Sequence, residues 1–287
     1  MIVDLNSLCY LGLGFISIIL LIYICIKSDV RQALLTFMGM VGLGYIIEAV
    51  IYNFLSSYQY YPHIIKHNPI YDSALGAIAS NALTLPVTAT FLAAFRKNWL
   101  WMAFTTALYA GIEWIFLELH IYKHHWWKTV YTSIGLPFYF LFAKFLYRKM
   151  SVPLKGFFHT LCLYLIISPF SGSLHFIPIM FFSNRYYELG LFANQSKDTT
   201  AFSTIFYLCA SIVYVFMAKF QPLPRWGKYP VIGLCMYCAT HILRGVGILH
   251  SLVWWDTWYY IVLSFLSLLF TEFISKSLHK GSFASKI

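Results

Sequence analysis

Four ionisable side chains recur along a chain that is otherwise poor in charge: Glu48, Glu113, His175 and His241, separated by 65, 62 and 66 residues. Each lies inside a hydrophobic run. A charge at membrane depth is costly, so such groups normally face a bundle interior and have partners there. Hydroxyls stand beside them at helical spacing. Tyr45 precedes Glu48 by three residues, Tyr109 precedes Glu113 by four and Tyr237 precedes His241 by four, while Ser171 takes the corresponding place before His175. Offsets of three or four put both side chains on one helix face, where each hydroxyl can bond its neighbour or a shared ligand. Arg244 extends the His241 face by three positions. Two readings follow. One is a closed hydrogen-bonded network in which Arg244 pairs with Glu48 or Glu113. The other is a cavity open to the outside and lined by the same groups.

A cavity of this composition suits three chemistries. Glu48, Glu113, His175 and His241 supply the donor types for a divalent metal such as zinc, although no HExxH-like motif accompanies them. A proton relay or ion-coupled transport path needs ionisable groups near mid-membrane. An embedded enzyme acting on a lipid or isoprenoid would use the carboxylates as acid and base. No glycine-rich phosphate loop or Ser/His/Asp pattern is present, and the sequence names no cofactor. Cys235 and Cys238 have redox-pair spacing but sit in an apolar run, and the six cysteines read as small packing residues.

An aromatic pair follows each ionisable residue by eleven to fourteen positions: Tyr60–Tyr61, Trp126–Trp127, Tyr186–Tyr187 and Trp254–Trp255. The second and fourth units match best, sharing W-W-[KD]-T-x-Y from Trp126 and from Trp254. A fixed period suggests duplicated helical hairpins, parallel because the corresponding helices run the same way. Aromatic pairs also mark the water interface of any membrane protein. His124 and His125 beside the first tryptophan pair suit anchoring or lipid head groups.

The elements that position these residues follow from composition. The 287-residue chain is 60% hydrophobic and 10% charged, against about 25% charged in soluble domains, so it reads as one integral membrane domain. At roughly 20 apolar residues per span, nine candidate spans lie near 8–27, 33–55, 74–96, 98–120, 129–148, 156–182, 201–219, 229–253 and 257–277. Pro169 and Pro178 predict a kink or break in the sixth. The first run lacks a basic leader and a small-residue cleavage site, and reads as a retained span. The net charge of +10 is scattered in short clusters between apolar runs, which excludes a nucleic-acid-binding face. Those clusters (Lys27 and Arg31; Arg96 and Lys97; Lys144 to Lys155; Lys219 to Lys228) fall in alternate loops. The positive-inside rule then puts the N-terminus outside and the C-terminus in the cytoplasm. Residues 56–73 read as a loop capping the bundle, and 193–200 as a flexible outer tip.

The segments "EWIFLELHIYKHHWWKTVYT" and "YYPHIIKHNPIYDSALGAIASN" resemble those of a group of uncharacterised polytopic membrane proteins from endospore-forming Gram-positive bacteria. The resemblance covers most of the chain. It implies a multi-pass protein of the bacterial cytoplasmic membrane and carries over no activity or site residue. The expectation is an all-α, polytopic transmembrane helical bundle that binds or transports a small solute or ion through an outward-facing polar cluster. The rivals are a lipid-modifying membrane enzyme and a non-catalytic sensor or assembly partner. The expected partners are the bilayer and a small solute or lipid, with no nucleic acid.

Overall fold

The structure, a computed structural model, describes residues 4–280. Those residues fold into helices joined by short links. In chain order they are α1 (Leu5–Lys27), α2 (Val30–Glu48), β1 (Tyr58–Tyr60), α3 (Pro69–Ile78), α4 (Leu85–Ala94), α5 (Trp99–Glu118), β2 (Tyr122–His124), α6 (Thr129–Met150), α7 (Gly156–Phe182), β3 (Arg185–Tyr187), α8 (Gln195–Lys219), α9 (Arg225–Gly245), β4 (Leu249–Ser251) and α10 (Asp256–His279). Two π-helical segments interrupt this series. Ala49–Phe54 continues α2, and Ala79–Thr84 joins α3 to α4. Among the described residues, eight helical stretches are long and apolar enough to cross a membrane. The eighth run expected from sequence forms α9, a helix of 21 residues that is not among them. Arg225, Lys228 and Arg244 lower its apolar character. The sixth run is a single continuous helix, α7, despite Pro169 and Pro178.

The chain divides into two compact units, one over residues 4–154 and the other Lys155–His279. In the first, Ile24, Ala33 and Val87 are fully buried and knit α1, α2 and α4 together. One end carries a cluster of basic residues. There Arg31 donates to the Met150 carbonyl, Gln32 to that of Tyr147 at 2.6 Å, and Lys144 to that of Lys97. At the other end, β1 and β2 pair antiparallel with Tyr58 opposite His124 and Tyr60 opposite Tyr122. The N-terminus of α1 is tied to this end: Asn6 and Ser7 donate to the Tyr61 and Pro62 carbonyls, each at 2.8 Å.

The second unit has the order α7, β3, α8, α9, β4, α10, and β3 pairs antiparallel with β4. Short strands were not expected from an all-helical reading. Three-residue extended links have no periodicity to reveal them, and pairing gives their backbone groups partners.

Both units hold the loop after their first strand in the same way. Asn68 caps α3, and Asp72, four residues on, accepts from the backbone N–H groups of His63, Ile64 and Ile65 at 2.7–2.9 Å. Ser73 Oγ then accepts from Tyr60 N at 3.0 Å. In the second unit Asn194 caps α8, Asp198 accepts from the N–H groups of Leu189, Gly190, Leu191 and Phe192, and Thr199 Oγ1 accepts from Tyr187 N at 3.0 Å. The polar stretch 193–200, expected as a flexible tip, is therefore the capped first turn of α8, with Asp198 buried beneath its loop.

Candidate functional site

Glu48 ends the regular part of α2, and the π-helical turn follows it directly. Such turns recur at functional sites because one extra residue per turn re-aims the side chains around it. The carboxylate is 9% exposed. Its Oε1 accepts from Tyr58 Oη on β1 at 2.5 Å and from Asn81 Nδ2, in the second π-helical segment, at 2.6 Å. Its Oε2 is buried and has no hydrogen-bond partner. Burial pushes the Tyr58 hydroxyl well above the usual phenol range, and the Glu48 charge adds to this, so Tyr58 remains a donor.

Glu113 approaches from α5. Its Oε1 accepts from Thr129 Oγ1 at 3.1 Å and bonds His124 Nε2, on β2, at 2.8 Å. Tyr109, one turn earlier, bonds Thr88 Oγ1 at 2.5 Å rather than Glu113. Glu48, Glu113 and Tyr109 nonetheless line one cavity of about 230 Å³ inside the first unit. Tyr58, Tyr60, Tyr122 and Trp127 close its strand end, with neighbouring ring centroids 4.9–5.6 Å apart. No lysine, arginine or histidine is among the lining residues. Tyr45 is half-buried on α2 and is not part of the lining.

His175 and His241 belong to the second unit. His175 is buried, with Nε2 3.3 Å from Tyr187 Oη and its ring packed against Phe206 and Tyr260. Beside it Arg185, 1% exposed, makes a two-pronged ion pair with Asp256 at 2.9 and 2.8 Å. Arg185 also donates to Tyr187 Oη and lies 3.4 Å above the Tyr260 ring. Asn184 and Arg244 donate to the same aspartate at 2.7 and 3.2 Å. Arg244 therefore pairs with Asp256, and not with Glu48 or Glu113 as the sequence suggested. Asp256 opens α10 within the same unit and needs no long reach.

His241 is exposed on α9, where its ring lies tilted against the half-exposed Tyr237, centroids 4.2 Å apart. It takes no part in the polar core, and register explains why. Glu113 lies seven residues before His120, whose left-handed backbone (φ 55°) turns the chain into β2. Seven residues before the equivalent left-handed Gly247 (φ 76°) stands Thr240, which is buried. One residue of helix is a rotation of about 100°, enough to carry His241 off the inner face. The match between Trp126–Trp127 and Trp254–Trp255 hid this offset. The pair occupies the second and third places between β2 and α6 but the third and fourth between β4 and α10.

The aromatic pairs serve different ends. Tyr60 and Trp127 line the cavity, while the Tyr61 carbonyl anchors Asn6. Trp126 donates to the Leu55 carbonyl at 2.7 Å. Tyr186 stacks on His250 and Tyr187 is fully buried. Trp254 is 86% exposed, and Trp255 packs edge-on against Tyr259. Among the described residues no three His, Cys, Asp or Glu side chains gather as metal ligands. Cys235 and Cys238 are exposed free thiols.

Sequence reasoning missed Asn81, Thr129 and the Arg185–Asp256 pair. The pattern Asn68…Asp72-Ser73 recurs as Asn194…Asp198-Thr199, and in each unit it caps a helix and holds a loop. No protein-family model, curated protein or solved structure matches the chain.

Proposed function

We propose that this chain is a solute-binding protein of a bacterial cytoplasmic membrane, and that the chamber of its first unit holds a small solute on its way across. One observation carries this reading: Glu48 and Glu113, from two different apolar helices, line the same cavity, and Glu48 keeps one carboxylate oxygen unpartnered. A buried polar atom without a partner costs about 1–3 kcal/mol, which a hydrogen-bonding solute would recover. The second unit supplies the contrast, because its buried acid is saturated by Arg185, Asn184 and Arg244.

The same reading takes α9 as a ninth span. Its 21 residues rise about 32 Å at 1.5 Å each, enough for the hydrocarbon core. It takes the strand end of the first unit as the outer end, since the lysines and arginines gather at the other, and the two units as copies of one ancestral pair of hairpins. It also keeps the relationship to polytopic membrane proteins of endospore-forming bacteria. The test is counterflow of labelled small solutes in proteoliposomes, comparing the native protein with Glu113→Gln. Flux that the substitution reduces severalfold supports transport. A solute that binds but does not cross overturns transport and leaves a binding or sensing role.

A further inference from the structure

The chamber's chemistry narrows the solute class. Its walls carry two carboxylates, one of them bonded to His124, and no lysine or arginine, so an anion would meet charge of its own sign. A neutral apolar ligand would leave Glu48 Oε2 as bare as it is now. A metal ion would need several converging donors, and among the described residues no three His, Cys, Asp or Glu side chains gather.

The tyrosines complete the picture. Tyr10, Tyr58, Tyr109 and Tyr139 all line the chamber, yet each turns its hydroxyl to the protein: to the Ile121 carbonyl, Glu48, Thr88 and the Met40 carbonyl. These four offer a ligand ring surface rather than a hydroxyl. Ring surface together with negative charge is the environment that attracts an organic cation. The volume of about 230 Å³ exceeds the roughly 150 Å³ that suffices for benzene.

We infer that the chamber binds an organic ammonium ion, a protonated amine on an apolar body. Its N–H donates to Glu48 Oε2, its charge is held between Glu48 and Glu113, and its body lies against the tyrosine and tryptophan rings. This rests on the solute-binding reading above and goes beyond it in naming the ligand class.

Titration calorimetry of the full chain in detergent, with phenethylamine and with the uncharged 2-phenylethanol of similar shape, tests it. The amine is expected to bind about tenfold or more tighter than the alcohol, as for a charge-assisted hydrogen bond. Glu48→Gln, which keeps an acceptor for Tyr58 and Asn81, is expected to erase that preference. Glu113→Gln should weaken amine binding severalfold, and serves alone if the first variant does not fold. Equal binding of amine and alcohol, or a preference that survives these substitutions, overturns the ammonium assignment and leaves the chamber as a solute site. Binding of neither compound overturns both.

Discussion

Asn81 Nδ2 lies 2.6 Å from Glu48 Oε1, and this bond joins the two π-helical segments of the first unit. In the first unit the departure from regular helical geometry sits at the carboxylate that lines the chamber. In the second unit α7 and α8 are helical throughout. Arg185 stands ten residues after His175, as Tyr58 stands ten after Glu48, and reaches inward to Asp256.

Removing the amide from this pair tests its role in stability. Asn81→Leu keeps the volume roughly but leaves Glu48 with Tyr58 as its one remaining donor. Losing a hydrogen bond to a buried carboxylate should cost about 1.5–3 kcal/mol. Reversible unfolding in mixed micelles would measure it, and an unchanged midpoint would mean that the bond contributes nothing net.

Close packing under the aromatic lid makes a second prediction. A Cβ built on Gly76 would lie 2.5 Å from Tyr60 Cβ and 3.0 Å from its Cγ, atoms next to the backbone that cannot swing away. Gly76→Ala should therefore push β1 off α3, at a cost of about 1–3 kcal/mol, and weaken ligand binding by displacing Tyr60. Gly111→Ala is the control. Nothing lies within 4 Å of its Cβ, and alanine within a helix should stabilise by about 0.5–1 kcal/mol. Equal effects of the two substitutions would show that the Gly76–Tyr60 contact is not limiting.

The ion pair of the second unit should respond asymmetrically. Asp256→Leu leaves the buried Arg185 guanidinium without a counter-charge, and breaking a buried pair in this way costs about 3–5 kcal/mol. Arg185→Met is expected to cost less, because Asp256 still accepts from Asn184 and from the charged Arg244. Unfolding of both variants under one set of conditions gives the order. A costlier arginine substitution would contradict this account of the network.

What could be read from the sequence followed physical necessity. Apolar runs gave most of the helices to within a few residues, since spanning length and hydropathy leave little freedom, but the run 229–253 ends as a helix at Gly245 and continues through β4. Glu48 and Glu113 stood out because acids are expensive in such runs, and the structure brings both to one cavity. The π-helical turns left no mark, since inserting one residue into a helix changes no composition. Arg185 lies in the link between two apolar runs. Nothing local distinguishes an arginine that remains in water from one that folds back onto Asp256. His241 was misjudged for a geometric reason, since tryptophans drift along a link whose length is fixed while helix faces cannot.

That last point can be tested directly. If Thr240 and not His241 occupies the place of Glu113, His241→Ala should change stability by no more than about 0.5 kcal/mol, as for an exposed position. Thr240 is 1% exposed and its Oγ1 has no partner. Thr240→Val, which replaces an unsatisfied buried hydroxyl with a methyl group, should therefore be neutral or stabilising. Glu113→Ala, by contrast, removes the acceptor of Thr129 and the partner of His124 and should cost about 1–3 kcal/mol. Thermal unfolding of the three variants separates the alignments. A large loss in His241→Ala, matching that of Glu113→Ala, would restore the histidine to the inner face and reject the offset drawn from His120 and Gly247.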